Sequence, residues 1–262
     1  MASGPPTPSF ESITLFFPMW NEEQIMHQTI AAAREAGESL IESGEIGRYE
    51  ILIVNDASTD ATGEIADKYA DDDKRIRVVH HPVNRKLGGS LKTGFSEARG
   101  EIVLYTDADL PFDMAELAKA VRIMRMYEAD IVSAFRFDRT GEGPRRYVYS
   151  FAYNHLVRSL FKLRVRDVNF AFKLIHRDVI DRVALKSEGS FIDVELLARA
   201  NQMGYRIMQF GVDYFPRTRG VSTLSSTSVI RKIVGEMVSL RSELKKVEPV
   251  PVELRGGVSA RK

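Results

Sequence analysis

Residues Ile51–Ala70 read ILIVNDASTDATGEIADKYA and carry the clearest signal of the fold class. Ile51–Val54 is a continuous apolar run, as expected of a strand that is buried on both faces of a sheet. Asn, Asp and Ser residues, which favour turns, follow this run, and the remainder up to Ala70 predicts a helix. This succession of strand, turn and helix is the repeating unit of a doubly wound α/β protein.

The same unit recurs on both sides of this stretch. Strands are predicted at Ile13–Phe17, Arg75–Val79, Ile102–Tyr105 and Ile131–Ala134, and helices from Asn21, over Ser90–Arg99 and over Asp113–Tyr127. Two of these helices begin with the spacing of a capping box, Asn21 with Gln24 and Asp113 with Glu116. Strands that alternate with helices of about 10–15 residues predict a parallel sheet that is covered by helices.

The composition excludes several classes of protein. The 262 residues contain 37 Lys and Arg against 36 Asp and Glu, so the chain as a whole is not a polycation and we expect no nucleic-acid partner. The chain has no cysteine, which excludes disulfides, thiolate zinc sites and cysteine nucleophiles. Apolar runs stay shorter than the roughly 18 residues of a membrane span, and the first residues do not resemble a signal peptide, so we expect a cytoplasmic protein.

We expect four segments along the chain. Residues 1–11 are rich in Pro and Ser and are predicted to be disordered, as is the tail 249–262. Residues 12–225 form the main domain, and residues 226–248 form an amphipathic C-terminal helix. Two interpretations of that helix stay open, namely an ordinary surface helix and a helix that lies on an anionic membrane surface.

Acidic residues stand at the ends of three predicted strands. They are Glu22 and Glu23 after the first strand, Asp56 and Asp60 after the second, and Asp107 and Asp109 after the fourth. Ligands of doubly wound folds bind at the carboxyl ends of the strands, and we expect these carboxylates to converge on that rim of the sheet. Their negative charges repel one another unless a cation or hydrogen-bond donors bind there. Asp107 and Asp109 suit a hard ion such as Mg²⁺ or Mn²⁺, although each cluster taken alone is also typical of solvated turn carboxylates.

Motifs of other nucleotide-binding folds are missing. The residues Pro18–Glu23 after the first strand contain no G-x-G-x-x-G, and the chain contains no G-x-x-x-x-G-K-[S/T] and no G-x-S-x-G. Rossmann dehydrogenases, P-loop enzymes and α/β-hydrolases are therefore excluded. What remains is a nucleotide site that uses carboxylates.

Several motifs give the chain a family resemblance. They are Pro18-x-x-Asn21-Glu22-Glu23, Val54-Asn55-Asp56-Ala57-Ser58-Thr59-Asp60, Asn84-Arg85-Lys86-x-Gly88-Gly89 and Asp107-Ala108-Asp109, extended by Asp167-Val168-Asn169-Phe170-Ala171-Phe172-Lys173 and Phe191-Ile192-Asp193-Val194-Glu195. With these motifs the chain resembles the family 2 GT-A glycosyltransferases, and among them the polyprenyl- and dolichyl-phosphate mannose and glucose synthases. The resemblance covers residues 12–225. It implies the GT-A fold, a doubly wound mixed sheet flanked by helices, and transfer of a hexose from a GDP-mannose or UDP-glucose type donor to a polyprenyl phosphate, with inversion.

The resemblance also implies roles for single residues on the donor side. Asp56 accepts hydrogen bonds from the base, Asp107 faces the ribose and the metal, and Asp109 binds the Mg²⁺ or Mn²⁺ directly. The nucleotide-sugar site as a whole comprises Pro18, Asn21, Glu23, Asp56, Ser58, Lys86 and Asp107. In the loop that carries Lys86, Gly88 and Gly89 either let the backbone approach the nucleotide or form a flexible turn before the helix.

Two positions depart from the pattern of the resembling synthases. Pro111 stands where they commonly have a Gln that adds a metal ligand, and Ala171 stands where they usually have Gly. Asp113 either replaces the missing ligand or caps the following helix. These departures concern the metal geometry and the acceptor loop, and the fold is unaffected by them.

The acceptor side is basic. Residues 136–182 hold eleven Lys and Arg against five acidic residues. A phosphate acceptor is already anionic and needs cations to hold it, and the resemblance places the lipid phosphate on Arg136, Arg146 and Ser150. The Tyr- and Phe-rich helix beside Arg146 would then lie at the lipid headgroups, so we expect a peripheral protein at the inner face of the membrane, recruited directly or by a separate membrane protein.

Three other functions stay open. The first is a family 2 transferase with a saccharide or other hydroxyl acceptor, for which Asp193 is the candidate catalytic base. The second is a sugar-nucleotide-binding module without catalysis. The third, a nucleotidyltransferase, lacks the Gly-rich loop with Arg and Lys that it needs near the first strand. The sequence does not choose between a guanine and a uracil donor.

Overall fold

The structure, a computed structural model, describes residues 8–137, 144–215 and 227–255, without the side chains of residues 144–150 and 227–234. The strands in these ranges are β1 (Phe10–Met19), β2 (Ile46–Asn55), β3 (Ile76–His80), β4 (Ile102–Thr106), β5 (Ile131–Arg136), β6 (Phe172–His176) and β7 (Ile207–Val212). The helices are α1 (Met26–Glu42), α2 (Thr62–Asp72), α3 (Lys86–Glu97), α4 (Glu116–Met126), α5 (Pro144–Phe161), α6 (Arg177–Arg182), α7 (Ile192–Gln202) and α8 (Thr227–Leu244).

The seven strands form one sheet in the order β3-β2-β1-β4-β6-β5-β7. All neighbouring strands are parallel except β6, which is antiparallel to both β4 and β5. The mixed sheet that the family resemblance implied is therefore confirmed, whereas the all-parallel sheet predicted from periodicity alone is wrong at β6. The chain order reverses between β1 and β4, which makes the carboxyl ends of these two strands the expected ligand crevice.

Helices cover both faces of the sheet. In β1, Leu15 and Phe17 pack into the core under α1 and α4, whereas Phe16 packs into the core under α3 and α7. Because both faces of the central strands are buried, their sequences are continuous apolar runs without alternation. Gly94 in α3 lies against the ring of Phe16, so close that a side chain there would overlap the ring.

The chain termini differ from the sequence prediction. β1 begins at Phe10, whose N–H donates to the carbonyl of Glu45, so the last residues of the segment 1–11 belong to a strand. At the other end the N–H of Val250 donates to the carbonyl of Met203, and a short 3-10 helix spans Val252–Leu254. The tail is therefore docked as far as residue 255, because backbone hydrogen bonds compensate for its low apolar content.

Candidate active site

The loops after β1, β2 and β4 leave the sheet side by side. Met19 at the end of β1 is paired with Asn55 at the end of β2, and Phe16 is paired with Tyr105 near the end of β4. Pro18 lies within β1, paired with Val54. The three acidic clusters predicted at strand ends therefore lie on one edge of the sheet.

The loop after β1 is held to the loop after β2 through Asn21. The Asn21 backbone has a positive φ of 58°, its N–H donates to the Ser58 hydroxyl at 3.0 Å, and its side-chain oxygen accepts the N–H of Thr59 at 2.8 Å. The predicted capping box of Asn21 with Gln24 is wrong, because α1 begins five residues later at Met26. The Asn21 side chain bonds to the loop after β2, and this contact takes the place of the predicted helix cap.

Glu23 also forms hydrogen bonds between the loops after β1 and β2. Its carboxylate accepts the N–H of Ala61 at 2.9 Å, and its own N–H donates to Asp60 at 3.3 Å. Although burial raises the pKa of Asp60, hydrogen bonds from Thr62 and Glu23 outweigh burial and lower this pKa below its usual value. Glu23 thus shapes the loop from within, since its carboxylate is committed to the start of α2.

Asp56 is buried at the end of β2 and its carboxylate is held on one oxygen. Oδ1 lies 2.6 Å from Nδ1 of His81 and accepts the backbone N–H of Arg85 at 2.8 Å. The carbonyl of Asp56 accepts the Asn84 amide at 3.3 Å, and its N–H donates to the carbonyl of Met19. Sequence reasoning missed His81, whose only signal was its place directly after a predicted strand.

The residues after Arg85 form a helix rather than a flexible loop. α3 begins at Lys86, four residues earlier than predicted, and Lys86 is exposed with a φ of 60°. The N–H of Gly88 donates to the carbonyl of Glu188 at 3.0 Å, and a Cβ on Gly88 would lie 2.5 Å from the Cα of Glu188. The flexible-turn interpretation of Gly88 is wrong, because Gly88 lies in α3 and is in close contact with the segment around Glu188, whereas the approach of this backbone to the nucleotide stays a prediction.

A buried ionic network holds that segment in place. Oε2 of Glu195 accepts the backbone N–H groups of Lys186 and Ser187 at 3.0 and 2.7 Å, and its Oε1 accepts Nε of Arg199 at 2.8 Å. Arg199 also contacts Glu243 of α8 at 2.6 Å. The ionic network thus links α8 to the segment that contacts the start of α3. In addition, Met237, Leu240 and Leu244 of α8 are buried in the core.

We expect Gly88→Ala to destabilise the native state by about 1–3 kcal/mol, because the new methyl group meets backbone atoms that cannot turn away. Gly189→Ala is the matched control in the same segment, since nothing lies within 4 Å of its Cβ position. Urea unfolding of both variants measures the difference. Equal stabilities of the two variants would contradict this account of Gly88.

Asp107 and Asp109 follow β4 in a tight turn. The N–H of Leu110 donates to the carbonyl of Asp107 at 3.3 Å, and the hydroxyl of Thr29 in α1 donates to the carbonyl of Ala108 at 2.6 Å. Both aspartates are half-buried, whereas Ala108 between them is buried. The turn therefore lies at the crevice between β1 and β4, and the carboxylate oxygens of Asp109 within it are inaccessible to solvent.

The donor set of this turn fits a hard divalent cation. Within the ranges that the structure describes, no cluster of three or more His, Cys, Asp or Glu side chains suited to a metal is present. Two carboxylates are what Mg²⁺ takes from a protein when substrate phosphates complete its shell. Asp113 is exposed and its carboxylate accepts the N–H of Ala115 at 2.9 Å, so it is engaged in the turn before α4, which begins at Glu116.

The region predicted to bind the acceptor contains Arg136, the last residue of β5. Its Nε and Nη2 bind the two carboxylate oxygens of buried Asp167 at 2.7 and 3.2 Å. The guanidinium also lies over the rings of Tyr214 and Phe170, 5.1 and 5.7 Å from their centroids. Arg146 and Ser150 are part of helix α5, but their side chains lie outside the described residues, as residues 138–143 do entirely.

The candidate base Asp193 is in a buried ion pair. Its Oδ1 lies 2.7 Å from Nζ of Lys173, and both side chains are almost completely inaccessible. Burial raises the pKa of Asp193, and the Lys173 ammonium opposes that shift. Lys173 also donates to the carbonyl of Phe170 at 2.9 Å, so the pair fixes the segment that carries Asp167.

The family profile described as Glycosyl transferase family 2 matches residues 14–184, more than half of the chain. The chain belongs to glycosyl transferase family 2. The family resemblance predicted from the sequence motifs is therefore confirmed.

Individual relatives include lipid-linked sugar transferases. Glycosyltransferase AglD of Haloferax volcanii is 34% identical over 210 residues, which cover 78% of this chain and 33% of that protein. The undecaprenyl-phosphate mannosyltransferase of Micrococcus luteus is 26% identical over 236 residues, which cover 86% of this chain and 90% of that protein. The chain thus spans about a third of the length of the Haloferax relative.

Solved structures share the fold. Glucosyl-3-phosphoglycerate synthase from Mycobacterium tuberculosis, crystallised with Mn²⁺, uridine-diphosphate-glucose and phosphoglyceric acid, superposes with a TM-score of 0.67 over 88% of this chain and 80% of that one. Its sequence is 18% identical, so the likeness concerns the fold alone. The predicted GT-A fold is confirmed.

Proposed function

We propose that this family 2 protein is an inverting glycosyltransferase that moves a hexose from a nucleotide sugar to a polyprenyl-phosphate lipid. The observation that carries the proposal is the state of the two candidate groups on the acceptor side. Arg136 stands at the carboxyl end of β5, where its guanidinium pairs with Asp167, and the carboxylate of Asp193, the candidate base, is buried and paired with Lys173. An anionic acceptor needs the first group and has no need of a base. The name of the Micrococcus relative supports the same acceptor class.

The donor site of the proposed enzyme lies on the opposite part of the edge. Asp56 would accept N–H groups of the base, in a pocket shaped by Pro18, Asn21, Glu23 and Ser58. Lys86 would add positive charge near the diphosphate. Either GDP-mannose or UDP-glucose fits this description, because both bases offer N–H donors to a carboxylate.

Asp107 and Asp109 would hold a Mg²⁺ or Mn²⁺ ion, which supplies charge neutralisation to the departing diphosphate. The crystallisation of the Mycobacterium neighbour with Mn²⁺ and a uridine-diphosphate sugar supports this assignment. In the reaction, a phosphate oxygen of the acceptor attacks the anomeric carbon in line with the bond to the diphosphate. That carbon–oxygen bond breaks, the nucleoside diphosphate leaves, and the configuration at the carbon inverts. No proton has to be removed from an acceptor that is already ionised.

The assay that tests the proposal combines the protein with Mg²⁺, labelled GDP- and UDP-sugars and a short polyprenyl phosphate. We expect label in the lipid fraction with one donor base. Label in a saccharide instead would favour the hydroxyl-acceptor alternative. Binding of the sugar nucleotide without transfer or metal-dependent hydrolysis would favour a binding module.

Asp193→Asn separates the two transferase mechanisms. We expect this variant to lose about 3–5 kcal/mol of stability, because it leaves Lys173 charged and buried. Turnover per folded molecule with the lipid phosphate should stay within about tenfold of the unchanged protein, since the proposed reaction uses no base. A loss of about 100- to 10,000-fold, the usual contribution of a general base, would favour the hydroxyl acceptor. The double variant Lys173→Met with Asp193→Leu removes both charges and serves as the folding control.

Peripheral binding at the cytoplasmic face of a membrane is part of the proposal. Large apolar side chains are exposed near the acceptor side, Phe137 after β5, Phe215 after β7, and Phe151 and Leu156 on α5, where Arg158 is also exposed. Aromatic rings beside basic groups suit an interface with anionic lipid. Among the described helices, none has both the length and the apolar composition that crossing a bilayer requires.

We expect the protein to sediment with anionic vesicles more strongly than with neutral ones, and Phe151→Ser to weaken this binding. Met126→Ser is the matched control, because Met126 is equally exposed but stands at the end of α4, before β5 and thus at the amino edge of the sheet. Equal effects of both substitutions would exclude α5 as the contact surface.

A further inference from the structure

A chain of hydrogen bonds lies behind Asp56 and ends at Arg85. Nη1 of Arg85 donates to the hydroxyl of Thr93 at 3.2 Å. That hydroxyl is 2.9 Å from Nε2 of His81, whose Nδ1 is 2.6 Å from Oδ1 of Asp56. The side chains of His81 and Asp56 are 4% and 5% exposed, so this chain of contacts is largely buried.

The chemistry of the four groups sets the direction of the chain. A guanidinium only donates, so Thr93 accepts from Arg85 and its own proton is left for Nε2 of His81. A carboxylate only accepts, so the 2.6 Å contact with Asp56 places a proton on Nδ1 of His81. In this arrangement each of the three contacts joins one donor to one acceptor.

In Asp56, one carboxylate oxygen accepts two hydrogen bonds from the protein. Oδ1 receives both the His81 N–H and the backbone N–H of Arg85. Among the described residues, all hydrogen bonds to this carboxylate go to Oδ1, and Oδ2 receives none from them. The side chain is therefore held as an acceptor, with Oδ2 as the atom that faces a further donor.

We propose that His81 is a specificity-determining residue that fixes Asp56 as an acceptor for the donor base. This inference rests on the proposed donor site. Uracil and guanine present ring N–H groups to such a carboxylate, whereas cytosine and adenine present a ring nitrogen lone pair at the equivalent position, which a carboxylate repels. The His81 chain thus selects nucleoside diphosphates of uracil or guanine against those of cytosine and adenine.

The test measures binding of UDP, GDP, CDP and ADP with Mg²⁺ by calorimetry. For the base that the unchanged protein prefers, His81→Leu should weaken binding by about 10- to 150-fold, the range for a hydrogen bond to a charged group. CDP and ADP, which already lack the contact, should change by less than about threefold. His81→Leu thus reduces discrimination between bases, an effect that a merely structural role would not produce.

Two conservative variants show which ring nitrogen of His81 contributes to nucleotide binding. In His81→Asn the amide nitrogen takes the place of Nδ1 and should restore most of the lost affinity. In His81→Gln the amide reaches the place of Nε2, contacts Thr93 and should restore little. His155→Leu, at an exposed position on α5, is the control for loss of a histidine. Nitrogen NMR of the His81 ring at neutral pH should show a proton on Nδ1.

The outcomes separate this inference from the proposed function. Equal losses for all four nucleotides, or better rescue by Gln than by Asn, would overturn the role of His81 while leaving the transferase intact. If the unchanged protein discriminated between the bases, His81→Leu lost that discrimination and no sugar were transferred, the role of His81 would be supported and the transferase overturned. If the unchanged protein bound none of the four nucleotides, both would fall.

Discussion

Asp109→Ala should lower the rate of sugar transfer by about 100- to 1,000-fold at saturating Mg²⁺, the size of effect expected when stabilisation of a leaving group is lost. Asp109 stands at the carboxyl end of β4, in the turn that Thr29 fixes through the carbonyl of Ala108. Because that hydrogen bond involves the backbone, the substitution removes a carboxylate and leaves the turn in place. We therefore expect the unfolding midpoint to change little while turnover collapses.

The control for Asp109 is Asp113→Ala in the following loop. Its carboxylate accepts the N–H of Ala115 and is exposed, so its loss should cost about 0.5–2 kcal/mol of stability and leave turnover nearly unchanged. Steady-state rates at graded Mg²⁺ and Mn²⁺ concentrations measure both variants. Full activity of the unchanged protein in EDTA, or a strong loss in Asp113→Ala, would contradict the assignment of the metal to Asp107 and Asp109.

Arg146→Ala should weaken binding of the polyprenyl phosphate by about 10- to 150-fold, because each charge-assisted hydrogen bond to phosphate contributes about 1.5–3 kcal/mol. Sugar-nucleotide affinity should stay the same, since the donor is assigned to the loops after β1, β2 and β4. Arg146→Lys should rescue binding only in part, because an ammonium keeps the charge and loses the planar fork. Separate titrations with acceptor and donor measure the two effects.

Arg158→Ala is the matched control on the same helix, since Arg158 is exposed on α5. Arg136→Ala should affect the acceptor as Arg146→Ala does, and should also lose stability, because it leaves Asp167 charged and buried. Small and similar effects at all three arginines, fading with added salt, would instead indicate plain surface charge. In that case the lipid-phosphate acceptor would give way to a hydroxyl acceptor.

Local patterns predicted the first half of the fold well. β1, β2 and β4 are buried on both faces, so their apolar runs stand out against the polar turns that follow. Polar residues directly follow these strands, so Asp56, Asp107 and Asp109 stand out against the apolar runs that precede them. The motifs were thus sufficient for the family and for the edge of the sheet where the site lies.

Local signals failed where a distant contact outweighed them. A helix cap is worth about 1 kcal/mol, and at Asn21 the hydrogen bonds with Ser58 and Thr59 replaced it. The same holds for Gly88, whose neighbour across the space is Glu188, a hundred residues away along the chain. No window of sequence around either residue contains the partner that decides its conformation.

The alternation of strands and helices, the acidic edge and the family could be predicted from residue types alone, because each depends on one strand and the turn that follows it. The direction of β6 could not be predicted in this way. This strand runs antiparallel and so places its first residues, Phe172 and Lys173, beside the end of β4. That direction brings Asp167 to Arg136 and Lys173 to Asp193. The direction of β6 depends on its pairing with both β4 and β5. These contacts are long-range, so no local sequence pattern predicts them.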